Sequence, residues 1–245
     1  MTVSEISGLG SHAMVLAAGF GKRMRPLTET TPKPLINVAG RPIIDYVFDH
    51  LRKAEVTRAV VNVHYLPQQL IDWSRRGVEP AITISDETDA ILDTGGGVAR
   101  ALPVLGTEPF FVMNSDSFWI DYGIPALTRL KANWDPEKMD CLLLLLSPEM
   151  TVGYDGTGDF EIAADGRLSR KRANSVAALA YIGGYLVHPR LFENLPGPAF
   201  SMNALWDRAI ARGRLYGLAH NGRWLHVGTP QAIAKAEEVL ANYRA

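Results

Sequence analysis

The stretch Ala13-Met14-Val15-Leu16-Ala17-Ala18-Gly19-Phe20-Gly21-Lys22-Arg23-Met24-Arg25-Pro26-Leu27-Thr28 sets an apolar run directly before a glycine-containing, basic segment. An unbroken apolar run over 13–18 reads as a strand buried on both faces, the pattern of a parallel sheet covered by helices. The run ends at Gly19. A Gly-x-Gly sequence at that point lets the chain turn tightly and brings backbone N–H groups close to a phosphate.

Outward from this point, short apolar runs alternate with stretches of helical period. After Arg41-Pro42, the residues Ile43, Ile44, Val47, Phe48 and Leu51 recur at spacings of three and four and mark one face of a helix. Strands are expected over 59–63, 81–85, 110–113 and 141–146, and helices over 67–76, 97–105 and 124–134. This alternation predicts an α/β fold, a Rossmann-like mixed and mostly parallel sheet flanked by helices on both faces. Past Ser147 the rhythm changes. Asp165-Gly166, set between strand-like residues of 159–169, predicts a hairpin. Residues 178–187 read as a strand whose interior pair, Gly183-Gly184, marks either a bulge or a close approach of ligand to backbone. Helices are expected over 203–212 and 229–244. One domain over 13–245 follows a flexible tail over 1–12.

Composition removes several function classes. With 47% hydrophobic residues and a net charge of −1, the chain is not disordered and offers no electrostatic footprint for nucleic acid or anionic membrane. A single cysteine, Cys141, excludes an internal disulfide and a cysteine-based zinc cluster. The opening residues carry no basic start and no apolar stretch of signal-peptide length, so a cytoplasmic, membrane-free protein is expected.

Against that balanced charge, Lys22, Arg23, Arg25, Lys33 and Arg41 stand with Glu29 as the only acidic residue between Gly19 and Arg41. Concentrated positive charge on an irregular segment suits a polyphosphate. Pro26, Pro32 and Pro34 stiffen the segment, which solvation alone would not require. A dinucleotide fingerprint would need a third glycine where Met24 stands, and a Walker loop would need Gly-Lys-Ser/Thr after a four-residue gap. Neither is present.

Two further stretches carry chemistry. Asp93-Thr94-Gly95-Gly96-Gly97 opens a helix after a strand, which is either an ordinary helix start or a set of free N–H groups for an anion or acceptor atom. Asn114-Ser115-Asp116-Ser117 follows the apolar run 110–113. A carboxylate at the carboxyl end of a central strand sits where open α/β sheets bind ligands, and Mg²⁺ takes one or two such carboxylates with phosphate oxygens and waters.

Leu-Ala-Ala-Gly-x-Gly-x-Arg-x-x-Pro-Leu-Thr over 16–28, followed by Pro32-Lys33-Pro34-Leu35, resembles the signature of the sugar-1-phosphate nucleotidylyltransferases. The resemblance implies a nucleotide-binding part over 13–118 and a sugar-phosphate part over 119–245. It implies that Leu16, Ala17, Ala18, Gly19, Gly21, Lys22 and Arg23 wrap a nucleoside triphosphate, with Glu87, Thr94, Gly95 and Gly96 near its base. Arg23, Lys33 and Asp116 would then be the catalytic set, with Asp116 and His226 toward Mg²⁺. His226 stands where the family's late Trp-x-Asp-x-Gly-Thr segment has aspartate, in Trp224-Leu225-His226-Val227-Gly228-Thr229. Imidazole is a poor ligand for hard Mg²⁺, so phosphate, a metal-bound water or simple packing are its other readings. The resemblance also implies that Asn114, Gly153, Asp159, Glu161, Tyr181 and Gly183 lie near the sugar. Lys171, within the trio Arg170-Lys171-Arg172, falls near its phosphate, and Asp207 reads as solvated. The form Asp-Thr-Gly-Gly-Gly is similar to the N-acetylmuramate α-1-phosphate uridylyltransferase branch, which implies UTP and N-acetylmuramic acid 1-phosphate as substrates in cell-wall sugar recycling. A guanylyltransferase acting on mannose- or heptose-1-phosphate, and a non-catalytic nucleotide sensor, are the alternatives.

Overall fold

The computed structural model describes residues 8–173, 175–176 and 178–244, with Arg244 described by its backbone alone. In chain order the first half contains β1 (His12–Leu16), the short pair β2 (Asn37–Val38) and β3 (Arg41–Pro42), and α1 (Ile43–Lys53). Then come β4 (Arg58–Val63), α2 (Pro67–Ser74), β5 (Ala81–Asp86), α3 (Asp93–Leu105), β6 (Phe110–Asn114), β7 (Ser117–Ile120) and α4 (Ala126–Ala132). The second half holds β8 (Cys141–Leu146), β9 (Thr151–Val152), β10 (Phe160–Ile162), β11 (Leu168–Arg170) and β12 (Ala180–Val187). It closes with α5 (Met202–Ala211), β13 (Leu215–Ala219), β14 (Arg223–His226) and α6 (Pro230–Arg244).

Seven strands form the main sheet in the order β13-β8-β12-β6-β1-β4-β5. All neighbours run parallel except β12, which is antiparallel to both β6 and β8. The expected α/β class, mostly parallel with helices on both faces, is what the chain adopts. Alternation along β1 shows how: Ala13 and Val15 pack on one face with α1, α2 and α4, while Met14 packs on the other with α3 and α5. No helix among the described residues is long and apolar enough to cross a membrane.

A second sheet, β7-β14-β9, was not legible in the sequence. Its strands are short, and β14 pairs with partners far back in the chain, Trp224 opposite Trp119 on β7 and opposite Thr151 on β9. Together with α1 and α6 it buries Met24, the side chain that occupies the position of a fingerprint glycine. The hairpin expected at Asp165-Gly166 is present as β10-β11, with Gly166 at φ +86°. Register shifts between Tyr181 and Tyr185 on β12, so Gly183-Gly184 does sit in a bulge.

Some boundaries moved. The strand expected over 13–18 ends at Leu16, because the next amide, Ala17 N, donates to Asn62 Oδ1 at 2.6 Å instead of continuing the ladder. The helix expected over 97–105 begins at Asp93, which places all three glycines inside it. Of the tail expected over 1–12, residues 1–7 lie outside the described residues. Gly10 is buried, with its N–H donated to Pro109 O, and His12 already belongs to β1.

Candidate active site

The loops at the carboxyl ends of β1, β4, β5 and β6 open onto one cavity of about 570 Å³. Residues 16–23 line it in an unbroken run, so the whole glycine-rich turn faces the space. The segment that follows is built rather than loose. Three 3₁₀ turns, Lys22–Met24, Leu27–Glu29 and Lys33–Leu35, fold it back on itself. Thr28 Oγ1 donates to Gly21 O at 2.9 Å, and Tyr65 Oη donates to Thr28 O at 2.9 Å. Gly21 has φ +61°, and a Cβ there would lie 2.8 Å from Thr28 Cγ2, so both backbone and space demand glycine.

Lys33 and Asp116 meet across the cavity wall. Lys33 Nζ donates to Asp116 Oδ2 at 2.8 Å, and Lys33 itself is only 8% exposed. Burial is the strongest single influence and works against the Asp116 charge, but the positive surroundings, led by the Lys33 ammonium with Arg23 also nearby, together hold the carboxyl below the usual carboxylate range. The carboxylate is therefore ionised, with Oδ1 left over. Arg23 lines the same cavity, exposed, and donates no hydrogen bond among the described residues.

Below the turn, Asn62 bridges two segments. Its Oδ1 takes the Ala17 amide, and its Nδ2 donates to Glu87 Oε1 at 3.0 Å. Glu87 is 2% exposed, and burial pushes its carboxyl up from its ordinary value against the pull of that hydrogen bond. Sequence reasoning missed Asn62. The signal was a lone amide inside the apolar run Val60-Val61-Asn62-Val63. The aromatic wall of Phe20 and His64, with ring centroids 5.5 Å apart, was also missed.

A second cavity of about 250 Å³ adjoins the first, and Leu16, Asp93, Thr94 and Asn114 line both. Tyr181, Asp159 and Arg170 line the second cavity. The boundary expected at 118/119 does not separate the cavities: Gly228 lines the first, and four residues from before position 118 line the second.

Other expected site residues lie elsewhere. Gly95 and Gly96 are off both linings, and their amides donate to Phe200 O at 2.8 and 3.1 Å, so they offer no free N–H groups to an anion. They are small because Phe200 and Pro198 press on the helix. A Cβ on Gly95 would sit 2.3 Å from the Phe200 ring. Gly95→Ala should therefore lower the melting temperature by about 3–10 °C, the range for overpacking a core in a domain of this size. An unchanged thermal melt would contradict this packing role.

Glu161 is taken up by Arg172, which lowers its carboxyl to about 2, and it lines neither cavity. Lys171 Nζ donates to Thr157 O at 3.0 Å and also lines neither. Gly153 has φ +76° and packs beneath His226 O, and Gly183 faces Asn114 and Ser117. His226 lies off both linings, with Trp224 at 5.0 Å and Tyr154 at 6.5 Å between ring centroids. Burial lowers its pKa, so the ring is neutral at pH 7, and its Nδ1 has no hydrogen-bond partner among the described residues.

No group of three or more His, Cys, Asp and Glu side chains among the described residues is arranged to hold a metal ion. A single ionised carboxylate with one oxygen left over does not build a closed protein cage. It fits an ion that completes its shell with phosphate oxygens and waters, which is the habit of Mg²⁺.

The family model for nucleotidyl transferase matches residues 12–242, nearly the whole chain. The chain is a member of the nucleotidyl transferase family. Across 94% of its length this nucleotidyl transferase is 46% identical to N-acetylmuramate alpha-1-phosphate uridylyltransferase of Caulobacter vibrioides, covering 96% of that protein. The protein of the same name from Neisseria meningitidis serogroup B is 34% identical, over 95% of this chain and 99% of that one. Among solved structures, a UDP-glucose pyrophosphorylase complexed with UDP-glucose superposes with a TM-score of 0.78 at 18% identity. It covers 96% of this chain and all of that one, a likeness that speaks to fold alone.

Proposed function

We propose that this nucleotidyl transferase moves a uridylyl group from UTP to N-acetylmuramic acid 1-phosphate and releases pyrophosphate. The observation that carries this reading is the pairing of two adjoining cavities, one walled by the basic turn and the Lys33–Asp116 pair, with sequence identity over nearly the full length of relatives so named. The sugar phosphate oxygen attacks the α-phosphorus, and the bond from that phosphorus to the pyrophosphate oxygen breaks. A phosphate monoester is already largely ionised near pH 7, so no general base is needed.

The barrier lies in bringing two polyanions together in line, and positioning with charge stabilisation lowers it. The backbone of 16–23 and Arg23 hold the triphosphate, and Lys33, packed beside Gly21 on the same cavity, faces the phosphates with them. Asp116 would hold Mg²⁺, and that ion would supply neutralisation of phosphate charge there. The half-buried, neutral ring of His226 suits packing or contact with a water of the hydrated ion better than direct ligation. UTP and sugar phosphates are cytoplasmic metabolites, which supports a cytoplasmic enzyme of cell-wall sugar recycling.

A pyrophosphate-release screen crossing the four nucleoside triphosphates with a panel of sugar 1-phosphates tests the reading. UTP with N-acetylmuramic acid 1-phosphate should give the highest kcat/KM. Preference for GTP with mannose- or heptose-1-phosphate would replace it with a guanylyltransferase. Tight nucleotide binding without release under any acceptor would replace it with a sensor.

A further inference from the structure

The second cavity carries a charge that the transfer chemistry does not use. Arg170 is the one basic side chain on its lining among the described residues. Its guanidinium lies over the Phe160 ring, 4.7 Å from the centroid. Nε donates to Asp207 Oδ1 at 2.7 Å, and Nη2 donates to Asn203 Oδ1 at 2.9 Å and Asn203 O at 3.3 Å. Asp207 is solvated as expected, its side chain 60% exposed, and it also pairs with this arginine. With its plane fixed by a ring, a carboxylate and an amide, the group loses little freedom when it binds an anion. Nη1 makes no hydrogen bond with a described residue, so two N–H donors of this fixed group remain for a ligand.

Position decides which anion. The reacting phosphate of the acceptor must meet the nucleotide near Arg23, Lys33 and Asp116, all on the first cavity. Leu16, Asp93, Thr94 and Asn114 mark the junction because they line both cavities. Arg170 lines only the second, against Phe160 and α5, and no residue of α5 reaches the first. A sugar whose phosphate sits at the junction therefore turns its ring substituents, not its phosphate, toward Arg170. Asp159 and Asp93 share this cavity, so a second anion on the sugar would be repelled unless a cation met it. The buried Tyr185 hydroxyl, without a partner among the described residues, adds a polar group to the same wall.

We propose that Arg170 is the receptor for a carboxylate carried by the acceptor sugar, with Asp207 and Asn203 positioning its guanidinium. This rests on the transfer reaction proposed above and assigns the feature that selects its sugar. N-acetylmuramic acid 1-phosphate carries such a group in its lactyl ether, and N-acetylglucosamine 1-phosphate does not.

The test compares kcat/KM for N-acetylmuramic acid 1-phosphate, its lactyl methyl ester and N-acetylglucosamine 1-phosphate, in the wild type and in Arg170→Met. The wild type should favour the free acid over the ester by about tenfold to a hundredfold, the scale of one charge-assisted contact. In Arg170→Met that ratio should fall to near one, and the preference over N-acetylglucosamine 1-phosphate should shrink with it. An Arg170→Met enzyme that keeps the full acid-to-ester ratio, or a wild type indifferent to esterification, would overturn the proposal. A variant that folds poorly lowers all three substrates alike, and the wild-type ratio then decides. Failure of the wild type on all three, with turnover of another sugar phosphate, would overturn the proposed function as well and is distinguishable from a lost ratio alone.

Discussion

Arg23→Ala should lower kcat/KM for pyrophosphate release by at least about 10², the scale on which one charge-stabilising group aimed at a transition state counts. The side chain is exposed on the wall of the larger cavity and donates no hydrogen bond among the described residues, so folding asks little of it. A substitution of this kind typically leaves stability within about 0.5 kcal/mol, so the melting curve should be nearly superimposable on that of the wild type. The combination is diagnostic: a large kinetic loss without a thermal one. Turnover within about threefold of wild type, a change far below that expected for a lost transition-state donor, would remove Arg23 from the machinery.

Asp116→Ala should be the more damaging change, because two consequences add. The carboxylate suited to Mg²⁺ is lost, and Lys33 keeps a buried ammonium whose 2.8 Å partner has gone. Breaking a buried ion pair from one side leaves an uncompensated charge, whereas replacing both partners can be nearly neutral. Asp116→Asn separates the two effects, since the amide oxygen still accepts from Lys33 while the negative charge is absent. Both variants should lose at least about 10² in turnover, as expected for a lost electrostatic group. The alanine variant should melt lower than the asparagine variant, and added Mg²⁺ should restore part of the asparagine variant's rate. Near-normal turnover in Asp116→Asn would contradict a role for the charge.

The central sheet and the glycine-rich turn were legible because their signals are local. An apolar run into Gly-x-Gly marks strand β1 and its turn, and of the basic residues crowded over 22–41, Lys22, Arg23 and Lys33 line the cavity, whereas Arg41 pairs with Asp49. Lys33 and Asp116 could be proposed separately, but their contact joins positions far apart in sequence, which no spacing encodes. The same holds for β7-β14-β9 and for Phe200, whose carbonyl takes up the amides of Gly95 and Gly96. Those glycines show how local reading fails: a run that looks built for an anion is built for close packing. Within the basic trio, neighbouring side chains diverge on and after an edge strand. Arg170 meets the second cavity, whereas Lys171 and Arg172 are spent on Thr157 and Glu161.

Binding of an unreactive UTP analogue, with a methylene group in place of the α,β-bridging oxygen, tests the central claim most directly when the complex is crystallised with Mg²⁺. The triphosphate should lie along the backbone of 19–23 with Arg23 and Lys33 against its oxygens. A complex in which the phosphates dock on another surface, leaving those side chains without contact to the nucleotide, would contradict it.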